Sequence, residues 1–143
     1  MKYACLKGVG LTRDAIFNLD DPGNRDDCFL PYVRLKELFH EAGVLIHTAD
    51  LISPEESCFE LHLNAQSDGR SDAALLMLEP AQVWPLHSYP DRLRDYKKIF
   101  TWDDQLVDGD KFVKINFPNP LSVVDVPSFQ QRDRFCCLIV GNK

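Results

Sequence analysis

A continuous run of six apolar residues at positions 73–78 constrains the fold of this chain more than any other feature. Asp72 precedes the run and Glu79-Pro80 follows it, so its length suits a strand rather than a helix. A strand without polar alternation is buried on both faces, as central strands of parallel sheets are. The run therefore predicts an α/β fold in which the sheet is covered on both sides.

The rest of the chain alternates between helical and strand patterns, as such a sheet requires. A helix is predicted over 31–42 because Leu35, Leu38, Phe39 and Ala42 form an apolar stripe. Together these elements predict a three-layer, Rossmann-like domain with a mostly parallel sheet. The predicted strands are 2–6, 44–48, 73–78, 99–102, 111–117 and 136–140, with 58–63 as a strand or short helix and 91–97 as a short helix.

Length and charge limit the possible functions. The 143 residues are enough for one domain, predicted as 1–143, and are too few for two full domains. The 16 basic and 22 acidic residues leave a net charge of −6, which argues against a nucleic-acid partner. No apolar run approaches the ~18–20 residues of a membrane span.

Five cysteines without paired spacing indicate reduced thiols and no zinc site. We expect a cytoplasmic protein, with a peripheral position at the inner membrane as the alternative.

Glu79 is the predicted catalytic residue because it directly follows the most apolar strand. Open parallel sheets bind ligands beyond the carboxyl ends of their strands, and Pro80 holds the preceding residue extended. We expect partial burial beside Leu78, Trp84 and Pro85, which would suit a general base working near neutral pH. An exposed acid that simply ends a strand remains the alternative.

The loop that follows carries the predicted sugar-binding side chains. Trp84 and His87 lie in a segment rich in aromatic rings and in side chains with polar end groups, which suits stacking on a sugar. A loop packed on its own domain fits the same composition equally well. Neither His40 nor His47 has a serine or cysteine at a spacing that would indicate a nucleophilic site.

Two short motifs have ordinary structural readings. Asp108-Gly109-Asp110 matches an Asp-x-Asp divalent-cation pattern, but Asp-Gly is also a hairpin signal. Gly8-Val9-Gly10 follows the first strand, yet Arg13 stands where a dinucleotide motif would have its third glycine. We interpret both motifs as turns, and predict no metal.

Longer stretches resemble a known family. ALLMLEP at 74–80, Trp84-Pro85, YKKIFTWDDQLVD at 96–108 and FVKINFP at 112–118 resemble the amino-terminal domain of bacterial α-1,3-fucosyltransferases of glycosyltransferase family 10. The closing segment 134–143 resembles the part leading toward that family's donor domain. The resemblance implies one half of a GT-B fold, with Glu79 as the base, and with Trp102 and Asp103 contacting an oligosaccharide acceptor. It also implies inverting transfer without an obligatory metal.

The chain departs from this family at its end. It stops at Lys143, where the carboxy-terminal donor domain would begin. We therefore expect no cofactor in this chain, with GDP-fucose as the donor substrate of the complete enzyme, and no transfer by this chain alone. A face that met a second domain should be unusually apolar. The alternatives are a non-catalytic carbohydrate- or protein-binding module, and a nucleotide binder using the loop after Gly8.

Overall fold

The computed structural model of the chain describes residues 2–67, 72–116 and 128–131. Within them the chain forms one sheet of six strands, and all neighbouring strands are parallel. The predicted α/β, Rossmann-like class is confirmed. The strands are β1 (Lys2–Lys7), β2 (Val44–Thr48), β3 (Phe59–Leu63), β4 (Ala74–Met77), β5 (Lys98–Thr101) and β6 (Phe112–Lys114), and the α-helices are α1 (Leu30–Glu41) and α2 (Pro90–Arg94).

In the strand order β2-β1-β3-β4-β5-β6, the side on which the chain adds strands to the sheet changes between β1 and β3. The chain forms β2 on one side of β1, then adds the remaining strands on the other side. Right-handed crossovers in opposite directions place their helices on opposite faces. In sheets of this kind a crevice opens at the reversal, beyond the carboxyl ends of the strands. The carboxyl edge of the sheet is therefore the place to look for a site.

The apolar run of β4 is buried because both of its faces are covered. Leu75 and Met77 belong to a core cluster that includes Leu93 of α2. Ala74 and Leu76 point the other way and pack against the cluster that α1 covers. Since side chains alternate along a strand, only an all-apolar segment satisfies both layers. The predicted three-layer arrangement is confirmed.

The predicted first helix forms as α1, but with a different buried face. Tyr32, Leu35 and Phe39 pack against the core, whereas Leu38 and Ala42 are exposed. The predicted stripe is therefore wrong at two of its four positions. The strip of α1 that packs on the sheet runs through Tyr32, Leu35 and Phe39, at positions i, i+3 and i+7.

Two further expectations have clear outcomes. The ambiguous segment 58–63 contains strand β3. Asp108-Gly109-Asp110 forms the predicted turn, in which the Asp108 carboxylate accepts the N–H groups of Asp110 and Phe112. The turn does not belong to a hairpin, because β5 and β6 are parallel. The predicted strand 136–140 lies outside the described residues. No helix in the described ranges is long and apolar enough to cross a bilayer.

Candidate functional site

The dipeptide Leu78–Glu79, just beyond β4, has all four of its backbone polar groups bound by side chains. Asn64 Oδ1 accepts the N–H of Leu78 at 2.9 Å and that of Glu79 at 3.0 Å. Trp102 Nε1 donates to the Leu78 carbonyl at 3.0 Å, and His87 Nδ1 donates to the Glu79 carbonyl at 2.7 Å. Three side chains from separate segments thus fix the backbone that carries the predicted catalytic residue.

The Glu79 carboxylate itself is exposed, and it forms no hydrogen bond or ion pair with another described residue. The expected partial burial is therefore wrong. The aromatic loop does not fold over the carboxylate, because Trp84 turns inwards and donates its indole N–H to the Ala65 carbonyl at 2.7 Å. The site consequently presents an unbonded carboxylate on a firmly held backbone.

Asn64 is a site residue that the sequence reasoning missed. Its backbone N–H donates to the Leu76 carbonyl at 2.9 Å, so the β3–β4 pairing continues one residue beyond β3. Its backbone φ is +59°, in the left-handed region that asparagine tolerates better than most residues. This conformation turns the side-chain amide towards Glu79. An asparagine directly after a strand was the available signal.

Trp84 and His87 both use their polar atoms on the protein's own backbone. His87 Nε2 accepts the Ala65 N–H at 3.1 Å while Nδ1 donates to Glu79. Burial lowers the pKa of His87, although the bond to the Glu79 carbonyl opposes this shift. The ring is therefore neutral with its hydrogen on Nδ1. The loop packs on its own domain, and contact of these two residues with a sugar stays a prediction.

Trp102 and Asp103 lie at the end of β5, beside this dipeptide. The Trp102 side chain is anchored through its indole N–H, yet the residue keeps 37% of its surface exposed. Asp103 closes the following turn by accepting the Gln105 N–H at 2.9 Å. Lys114 Nζ donates to the Trp102 carbonyl at 2.6 Å. The edge thus offers an indole surface bonded to the residue before Glu79, with the Lys114 ammonium group nearby.

Comparison of the chain with family models, with curated proteins and with solved structures found no significant match. Family membership accordingly stays a prediction from the residues quoted above. Among the described residues, no group of three or more histidine, cysteine or acidic side chains is placed to hold a metal ion. The function is therefore inferred from the geometry at the carboxyl edge.

Proposed function

We propose that the carboxyl edge of β4 and β5 binds an oligosaccharide acceptor, and that the chain is the acceptor side of an inverting fucosyltransferase. The observation that carries this proposal is the anchoring of Leu78–Glu79 by Asn64, His87 and Trp102 while the carboxylate stays unbonded. A group on a fixed backbone loses little freedom when it binds a hydroxyl group, so such anchoring favours binding and catalysis.

Glu79 would act as general base in the transfer. The acceptor hydroxyl oxygen forms a bond to the anomeric carbon of fucose, and the bond from that carbon to the diphosphate of GDP-fucose breaks. The hydroxyl proton passes to the Glu79 carboxylate, and GDP leaves with the bonding electrons. A single displacement inverts the anomeric centre. The exposed carboxylate is accessible to a substrate hydroxyl, although it lacks the burial that would favour a base working near neutral pH.

Trp102 would supply the surface on which the acceptor sugar stacks. An indole face packs well against the C–H groups of a pyranose, and its fixed orientation reduces the entropy lost on binding. The neighbouring Asp103 and Lys114 carry polar groups of the kind that bind sugar hydroxyls, and Lys114 Nζ also pairs with Asp104 Oδ1 at 2.6 Å. The predicted contact of Trp102 with the acceptor is therefore part of the proposal.

A protein-binding role is the second candidate, and exposed apolar side chains favour it. Val9, Leu51, Val83 and Leu106 are all exposed, and each follows the carboxyl end of a strand. Apolar residues at such an edge suit contact with another domain or protein. In the fucosyltransferase proposal that partner is the donor-binding domain.

Acceptor binding is tested by NMR titration of the chain with oligosaccharides containing β-galactose and N-acetylglucosamine. We expect shifts at the Trp102 indole N–H and the Glu79 amide. Trp102→Ala should weaken binding about tenfold, the equivalent of ~1.4 kcal/mol, whereas Trp102→Phe keeps an aromatic face and should retain most of it. Binding of GDP-fucose at this edge without any binding of the oligosaccharide would contradict the proposal.

The catalytic role is tested in the enzyme assembled with its donor-binding domain. Glu79→Gln should preserve acceptor affinity and lower the transfer rate at least ~100-fold, because an amide cannot take the proton. Glu37→Gln removes the same charge from α1 and serves as the matched control. An unchanged rate in Glu79→Gln would exclude Glu79 as the base.

A further inference from the structure

A second polar cluster lies at the carboxyl end of β2, around the carboxylate of Asp14. One oxygen, Oδ2, contacts Lys36 Nζ and His47 Nδ1, each at 2.7 Å. The other, Oδ1, accepts the backbone N–H of Thr48 at 2.8 Å. Arg13 and Asp14 both have left-handed backbone angles, with φ of 55° and 57°. These contacts hold in place a backbone conformation that is unfavourable by itself.

The cluster determines which nitrogen of His47 is available. Burial opposes ionisation of Asp14, but the Lys36 ammonium, the Thr48 N–H and His47 outweigh it and hold the pKa of this carboxyl below its ordinary value. An ionised carboxylate only accepts hydrogen bonds, so His47 Nδ1 carries a hydrogen. In the neutral ring Nε2 is then an acceptor. No described residue forms a hydrogen bond with it.

His47 lines a pocket of about 380 Å³ together with Tyr3, Leu51, Ile52 and Glu56. The rings of Tyr3 and His47 lie on the same face of the sheet, opposite α1, with their centroids 6.4 Å apart. Leu51 and Ile52 add apolar surface from the connection that follows β2. Glu56 contributes a carboxylate, and the lining contains no lysine or arginine.

We propose that this pocket binds a small organic ammonium compound. Its N–H groups would donate to His47 Nε2 and the Glu56 carboxylate, while its apolar part packs against the Tyr3 ring. The lining side chains offer mainly acceptors, which match an ammonium group better than a sugar, since a sugar needs donors as well. An anion would meet the Glu56 charge, and the nearby Lys36 ammonium is already paired with the Asp14 carboxylate. The proposal is independent of the role assigned to Glu79.

The ligand class is tested by NMR titration of the full chain with three probes of similar shape: benzylamine, benzyl alcohol and benzoate. We expect benzylamine to shift the amide signals of Tyr3, His47 and Leu51. Its affinity should exceed that of benzyl alcohol about threefold to fivefold, as for a partly exposed charge pair. Equal affinity for the alcohol, preference for benzoate, or shifts confined to other parts of the chain would overturn the proposal.

Two variants test whether the preference for benzylamine arises in this pocket. Glu56→Gln can keep the bond to the Ser53 N–H, and it should lower benzylamine affinity about threefold to fivefold without changing that of benzyl alcohol. Glu37→Gln removes an equal charge from α1 and should leave both affinities unchanged. Equal losses in the two variants would show a general charge effect, which would contradict binding in this pocket.

Discussion

Asn64 illustrates how one side chain replaces a missing piece of sheet. Beyond β3 there is no further strand residue to pair with Leu78 and Glu79, and the amide oxygen of Asn64 accepts both of their N–H groups instead. Backbone donors near a protein's interior are costly when unbonded. The same bonds also orient Glu79. Stability and the proposed chemistry therefore depend on one residue.

Replacing Asn64 with glycine should separate these effects from backbone strain, because glycine accepts the left-handed angle of Asn64. We expect Asn64→Gly to lower the free energy of unfolding by about 1–3 kcal/mol through the loss of two hydrogen bonds. Urea denaturation measures this loss, and hydrogen exchange should become faster at the Leu78 and Glu79 amides. Asn64→Asp keeps the acceptor oxygen and is the control. Unchanged exchange at both amides would exclude the anchoring role.

Strand β3 shows why alternation misleads when polar residues are buried. Glu60 and His62 are almost completely inaccessible, and His62 Nε2 lies 2.6 Å from Glu60 Oε2. His62 Nδ1 lies 2.9 Å from the hydroxyl of Tyr96, which accepts the N–H of Gln66 at 2.9 Å. The polar face of this strand therefore faces the protein interior rather than water. Its alternating sequence is typical of a half-exposed strand or a helix, so the segment was ambiguous.

Cys5 of β1 is the register partner of Glu60 and is buried beside it, which makes its thiol unreactive. Burial is the main reason that the pKa of its thiol rises to about 11, and the nearby Glu60 carboxylate adds to the shift while Lys7 opposes it. The thiol is therefore protonated at neutral pH and a poor nucleophile. Cys28 and Cys58 are exposed. The predicted reduced cysteines thus occupy very different environments.

The end of α1 depends on Gly43, which has a φ of +78° and open space around the position of a Cβ. Gly43→Ala should lower the free energy of unfolding by about 1 kcal/mol, because the left-handed angle strains an alanine without any clash. Gly43→Asn should lose less, since asparagine tolerates this angle. Urea denaturation of both variants measures the difference, and an alanine variant as stable as the wild type would contradict this account.

The two proposed sites share the carboxyl half of one sheet. His47 lies near the end of β2 and Glu79 just beyond β4, with β1 and β3 between them. With about 4.8 Å between neighbouring strands, the two strands are about 14 Å apart. A titration that shifts signals at one site can therefore be distinguished from binding at the other. Both sites therefore lie on the same sheet.

His87 should make the stability of the domain depend on pH. Its pKa is lowered from the ordinary value of 6.5, because burial favours the neutral ring that bonds Ala65 and Glu79. Between that lowered pKa and 6.5, the unfolded chain binds more protons than the folded one. The free energy of unfolding should therefore fall as pH decreases through this window.

Urea denaturation at a series of pH values checks this expectation. His87→Gln should be less stable than the wild type near pH ~7, and its stability should change less as the solution is acidified through the window. His40→Gln removes an exposed histidine of α1 and should retain the wild-type dependence. Identical pH dependence in the wild type and His87→Gln would contradict the role of His87.

The amino-acid sequence by itself determined the order of the elements, the parallel sheet and the position of Glu79 at a strand end. These follow from hydrophobic period, strand length and turn residues, which act over a few neighbouring positions. It also indicated that the loop after Glu79 would pack either on a ligand or on the domain. Residues close in the sequence could not decide between these two, because the choice depends on tertiary contacts.

Only the tertiary structure decided which side chains meet. Asp14 and His47 are 33 residues apart and Asn64 and Glu79 are 15 apart, yet each pair is joined by a hydrogen bond. The exposure of Glu79 and the buried face of α1 were settled in the same way. Such contacts depend on strand order and on what covers each face of the sheet. Neither can be deduced from residue types at short spacing.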